Sequence, residues 1–214
     1  MRYISLFFFL FSVPMTLSAQ KDAKATELLN AVSSNYKSFK TMQATFTIII
    51  ENQKEKTTDK QKGTLTVKGD KYKVELGSQD IISDGQIVWT HLKEEKEVQI
   101  NSNDKSKEDQ LTPNRIFSIG QSGFKSRLGD SKKEGSKTIQ TVELTPEDAK
   151  KPYFKIVLQI DKSKNLLTSL KVLNKSGINI TYSIDKFLQN VEAPDVYFSF
   201  DTVKHKDVEV IDLR

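Results

Sequence analysis

From residue 42 onward, apolar and polar side chains alternate in short runs. In ATFTIII, Ala44, Phe46, Ile48 and Ile50 fall on one side with Thr45 and Thr47 on the other, the two-residue period of a half-buried strand. The period returns in GTLTVKG through Leu65 and Val67, and in KYKVEL through Tyr72, Val74 and Leu76, with lysines and threonines opposite. The SDGQ step predicts a hairpin turn, because Gly85 can take the positive φ such turns demand. Beyond it Ile87, Trp89 and His91 share a face, and KEEKE turns the chain into VQI. The second half repeats the scheme. FKIVLQID aligns Phe154, Ile156, Leu158 and Ile160; LLTSLKVLN offers Leu166, Leu170 and Val172; INITYSI offers Ile178, Ile180, Tyr182 and Ile184, all joined by short polar turns. The polar segments NQKEKTTDKQK and GDSKKEGSK are expected to be exposed hairpin loops between strands.

Three stretches depart from this pattern. In KATELLNAVSSNYKSFKTM, Leu28, Val32, Tyr36 and Phe39 recur at helical spacing, which predicts an amphipathic helix that must pack on something. Within residues 102–123, LTPNRIFSIG places Pro113 in the first turn of a short helix carrying Ile116, Phe117 and Ile119. The opening MRYISLFFFLFSVPMTLSA runs from a basic start through an apolar core, Leu6 to Val13, to small residues at Ser18 and Ala19. That order predicts a secretory signal peptide over residues 1–19, cleaved after Ala19. Its core is short of the roughly 20 apolar residues a spanning helix needs. No Cys follows it, so a lipid anchor on an N-terminal cysteine is excluded.

Composition narrows the function classes mostly by exclusion. The chain has no cysteine, hence no disulfide framework, thiolate zinc site or thiol nucleophile. Its two histidines, His91 and His205, are linked by no metal-ligand spacing, so neither a metal nor a cofactor is expected. The formal charge of +5 comes from 33 basic and 28 acidic residues, interspersed along the chain. That balance speaks for solubility rather than nucleic-acid binding. No composition shift marks a boundary, so residues 20–214 read as one domain. Asp80 with Asp84, or Glu94 with Glu95, would be the acid-base pairs of an enzyme, but turn chemistry accounts for them more simply.

About ten antiparallel strands would curl, and the helices available to cover their apolar face are few. Periodicity leaves two outcomes open: a filled core, or a hollow partly covered by helices. Trp89 likewise reads as a core side chain or as a ligand contact.

Several motifs, in their order along the chain, resemble the outer-membrane lipoprotein carrier family, LolA. They are the helix followed by SFKTMQATFT, then GTLTVK, IISDGQIVWTH, LTPNRIFSIG, VELTPE and the closing FSFDTVKHKDVEVID. The resemblance implies a mainly β fold with some helix: a large curved antiparallel sheet forming an unclosed half barrel, covered by the N-terminal helix and short lid helices. It implies a periplasmic, monomeric, non-enzymatic carrier. Such a protein would take lipid-modified proteins from an inner-membrane ABC-type release complex and give them to the outer membrane or an acceptor there. A carrier or sensor of another lipid on the same scaffold is the alternative. On this reading Phe46, Ile48, Leu65, Val67, Tyr72, Val74 and Trp89 line the acyl-chain cavity, and Ile116, Phe117 and Ile119 belong to the lid. Where the family typically carries an Arg-Pro pair tied to lid closure, this chain has Gly69 and Asp70. The flanking Lys68 and Lys71 lack the rigid fork by which arginine holds several carbonyl oxygens. Either gating or cargo is therefore expected to differ here.

Overall fold

The computed structural model describes residues 22–103, 116–118 and 122–214. The expected signal peptide, Pro113 and Ile119 lie outside these residues. Helix α1 spans Ala23–Lys37 and buries Ala25, Leu29, Val32, Ser33 and Tyr36, with Leu28 and Phe39 partly buried against the same core. Asp22 caps it, one carboxylate oxygen accepting the N–H groups of Lys24 and Ala25 at 3.0 and 3.3 Å. This satisfies amides that the first turn leaves unpaired. The other oxygen accepts the N–H of Leu128 at 3.0 Å, so the residue that starts the helix also ties it to the sheet.

The strands are β1 (Met42–Asn52), β2 (Thr57–Lys68), β3 (Lys71–Leu76), β4 (Gln79–Ser83), β5 (Ile87–Leu92), β6 (Glu97–Ser102), β7 (Phe124–Glu134), β8 (Lys137–Pro146), β9 (Tyr153–Asp161), β10 (Leu166–Asn174), β11 (Ile178–Gln189) and β12 (Glu209–Asp212). They form one 12-stranded sheet ordered β12-β6-β5-β4-β3-β2-β1-β11-β10-β9-β8-β7. Among the described residues β7 and β12 are its two edges and do not pair with each other, so the sheet is an unclosed half barrel. Every pairing described is antiparallel except that of β12 with β6. β1 joins the two wings, with β2 on one side and β11 on the other. Side chains of β1–β3 and of β8–β10 share a single core with α1, which requires the sheet to curl around the helix.

Two sequence expectations are corrected at the hairpins. NQKEKTTDKQK and GDSKKEGSK are mostly strand: β2 begins at Thr57, and β7 and β8 reach Glu134 and Lys137 across a turn at Gly135 (φ +60°). These strand ends extend past the core, so backbone pairing holds them with no apolar alternation to announce it. A third correction concerns Phe154, which is 48% exposed while Tyr153 is buried. Leu173 pairs with Lys155 but Asn174 pairs with Tyr153. The extra residue on β9 breaks the alternation and leaves Phe154 outside.

Two bulges act in the opposite sense and gather apolar groups inward. The β10–β9 register shifts between Leu167 and Ser169, so Leu167 and Leu170, three apart, both reach the core face. On β11 the shift opposite Thr45 and Phe46 likewise brings Ile184 and Phe187 to the same core. The SDG turn forms as expected, with Gly85 at φ +95°. Asp84 accepts the N–H groups of Gln86 and Ile87, both at 2.8 Å, and Ser83 Oγ accepts the N–H of Gly85 at 3.1 Å.

Candidate functional site

Inside the curl lies a cavity of about 340 Å³, lined from both wings and from a short turn between β6 and β7. β1 supplies Ala44, Phe46 and Ile48; β2 and β3 supply Leu65, Val74 and Leu76; β4 supplies Gln79 and Ile81; β10 and β11 supply Leu167, Leu170, Tyr182 and Ile184. A single 3-10 turn, Ile116–Ser118, borders it with Ile116 and Phe117. Among the described residues no lining side chain is charged, and only Gln79 and Tyr182 carry a polar group. The site therefore offers undirected apolar contact, worth about 25 cal/mol per Å² removed from water.

The space depends on particular residues. Gly63 sits beneath the Phe46 ring: a Cβ there would lie 2.7 Å from the ring tip, 2.6 Å from Leu76 and 3.0 Å from a backbone oxygen. Phe117 packs on Tyr36 of α1 with ring centroids 4.3 Å apart, and Phe187 meets Tyr36 edge-on at 5.5 Å. The Tyr36 hydroxyl accepts the N–H of Leu167 at 3.0 Å, an amide beside the bulge. That bond ties α1 to β10 at the cavity's edge, and burial pushes the Tyr36 phenol far above its ordinary range.

Six of the residues expected from the sequence line this cavity: Phe46, Ile48, Leu65, Val74, Ile116 and Phe117. Val67 and Tyr72 belong to the same core but do not line the cavity. The Tyr72 phenol, raised by burial, is hydrogen-bonded to Ser83. Trp89 is a correction. It pairs with Ile82 and Ile100 across β4–β6 and forms a second cluster with them and Val98. On β4, Ile81 faces the cavity, so its neighbour Ile82 and the paired Trp89 face the opposite side of the sheet. The alternation of β5 was legible, but Ile81 and Ile82 are both apolar and leave its direction undetermined. Leu167, which the strand pattern missed, stands beside a bulge; Ile184, Tyr182 and Leu170 were on apolar strand faces but not assigned to the site, and Gln79 carries no apolar signal.

The outer face of this wing is covered by the chain after β11. A 3-10 turn, Asp195–Phe198, packs on β3. There Tyr197 donates its hydroxyl to Glu75 at 2.8 Å and receives Lys73 Nζ 4.4 Å over its ring. Burial works to raise the Glu75 carboxyl, but Tyr197 and Lys73 outweigh it and hold the group low. Lys68 and Lys71 both reach Asp195, at 2.8 and 3.0 Å. The lysines flanking Gly69 and Asp70 thus fasten the C-terminal strap, while Gly69 itself forms the β2–β3 turn at φ +59°. Further on, Phe200 stacks on His205 at 4.7 Å, and both rings approach His91, at 5.1 and 5.6 Å. The two histidines that sequence spacing kept apart are neighbours. Among the described residues, however, no group of three or more His, Asp or Glu side chains could hold a metal.

Solved structures with this architecture confirm the fold. An uncharacterized conserved protein from Thermus thermophilus superposes with a TM-score of 0.60 at 14% identity, covering 88% of this chain and 99% of that one. The Mycobacterium tuberculosis lipoprotein LppX superposes at 0.52 with 9% identity, covering 81% of this chain and 100% of that one. No curated protein matches the sequence. Residues 37–201, from the end of α1 through the strap's 3-10 turn, match the family described as outer membrane lipoprotein carrier protein LolA. The chain belongs to the LolA family of outer membrane lipoprotein carriers.

Proposed function

We propose that this protein is a periplasmic carrier that holds the acyl chains of lipoproteins in the cavity between the curled sheet and the Ile116–Ser118 turn. It would receive them from an inner-membrane ABC-type release complex and yield them to the outer membrane or an acceptor there. The observation that carries the reading is an uncharged apolar cavity inside the curled sheet, bordered by a short turn, in a chain of the carrier family. Each buried CH₂ is worth about 0.8 kcal/mol. A cavity burying ten of them would offset on the order of 8 kcal/mol, comparable to what a bilayer offers the same segment. Transfer in either direction is then nearly balanced and needs no covalent chemistry, only a lid whose closed and open states differ little in free energy. Water takes about 30 Å³ per molecule in the liquid, so this cavity holds roughly a dozen water-sized groups. A lipoprotein with several chains would have to displace α1 or the Ile116–Ser118 turn.

The test is native mass spectrometry of the protein purified from periplasm, alongside an Ile48→Asp variant. Ile48 is only partly buried, so its aspartate stays in reach of water, and a thermal melt of the variant checks that it is folded. Acylated proteins on the parent and none on the variant support the proposal. Free lipid alone on the parent shifts it to a carrier of another lipid, and an empty parent that also refuses acyl probes removes it.

A further inference from the structure

The two polar groups of the cavity lie toward one end. Tyr182 pairs with Ile48 across β1–β11, and Gln79 opens β4, facing Leu76 at the end of β3 next to the Gly63–Phe46 pair. Both positions stand toward the β1–β2 hairpin, where the next inward residue, Ile50, is already 36% exposed. That end is the mouth. Toward the opposite end, Val67, 2% exposed, and Tyr72 are buried.

Gln79 and Tyr182 both line the cavity. Burial is the only influence acting on the Tyr182 phenol and pushes it upward, with no hydrogen bond among its causes. Tyr182 is only half-buried and its hydroxyl is not among the buried atoms left without a partner, so it is free to meet water or a ligand at no cost to the fold. Each of the two groups can donate a hydrogen bond to a carbonyl oxygen. Among the described residues no charged side chain lines the cavity, so a carboxylate entering it would be desolvated without a counter-ion.

We infer that Gln79 and Tyr182 form a polar collar at the mouth that receives the ester or amide carbonyl joining an acyl chain to its head. The cavity is therefore selective for acyl esters and amides over free fatty acids and plain hydrocarbons. This rests on the carrier reading and specifies which part of the cargo is recognised.

The experiment is competition by methyl palmitate, palmitate and hexadecane against a fluorescent acyl probe, using the parent protein, Tyr182→Phe and Gln79→Met. The parent should favour the ester over both others. Each variant should lose about threefold to tenfold in ester affinity, the range of one net hydrogen bond, with hexadecane unchanged. Tyr182→Phe should melt no lower than the parent, which separates ligand recognition from a structural role. An ester-to-alkane ratio unaltered by both variants, or palmitate binding as well as its ester, overturns the collar and leaves the carrier reading standing. A parent that binds none of the three ligands overturns both. A diacylated lipopeptide and phosphatidylglycerol then identify the source of the carbonyl: whichever binds tighter, the collar requires its affinity to fall in Tyr182→Phe.

Discussion

At the scale of single residues, the site is made by groups whose role is invisible until the strands are paired. The bulge between Leu167 and Ser169 leaves the Leu167 amide to be satisfied by the Tyr36 hydroxyl. Tyr36→Phe would strand that buried N–H, so we expect a loss of about 1–3 kcal/mol in urea unfolding; an unchanged midpoint would show that water replaces the phenol. Gly63 poses the reverse problem, since a methyl group there meets Phe46 and Leu76 at under 3 Å. Gly63→Ala should cost about 1–3 kcal/mol by overpacking. It should also weaken acyl-probe binding, because the two side chains that must give way, Phe46 and Leu76, both line the cavity; unaltered binding would mean that they yield in another direction. Alternation in the sequence identified Phe46, Ile48, Leu65 and Val74 because these strands are apolar on one face. It misdirected Trp89 because β4 and β5 carry apolar groups on both faces, one facing the cavity and the other the strap.

At the scale of elements, the period-two runs and the helical stripe announced α1 and the strands that reach the core. The polar halves of β2, β7 and β8 went unread because they are held by backbone ladders alone, and the bulges because no residue type marks them. The junction of α1 with β7 shows how an element is placed as well as formed. Asp22 caps the helix and accepts the Leu128 amide, and that hydrogen bond is the main cause holding its carboxyl below the ordinary value of 3.8. A carboxyl lowered by folding contributes stability that is present above the unfolded value and lost as pH falls through the folded one. Asp22→Asn should therefore lower the melting temperature at neutral pH and flatten its fall below about pH 4. Melts recorded on both sides of that value check this, and parallel curves for the two proteins would remove Asp22 from the acid response.

At the scale of the whole molecule, the sheet keeps two separate apolar compartments: the cavity within its curl, and the Trp89 cluster under the C-terminal strap. Trp89 is the chain's single tryptophan, so its fluorescence reports on the strap side alone. The strap lies over β5 through Phe200 and His205 against His91. Burial lowers the His91 pKa below 6.5; His205 and Lys93 lower it further, while Asp80 and Asp207 act against them. A histidine depressed in the fold is protonated more readily in the unfolded chain, so stability falls as pH drops through about 6.5, with the full penalty below the folded value. Acidification across that range should move Trp89 emission to the red as the strap loosens, and His91→Phe should abolish the shift. Saturation with an acyl ligand above pH 6.5 should leave the emission unchanged, because the cavity lies on the other side of the sheet. An emission change on ligand binding, with His91→Phe still responding to acid, would mean that the two compartments are mechanically joined and that lid and strap move as one.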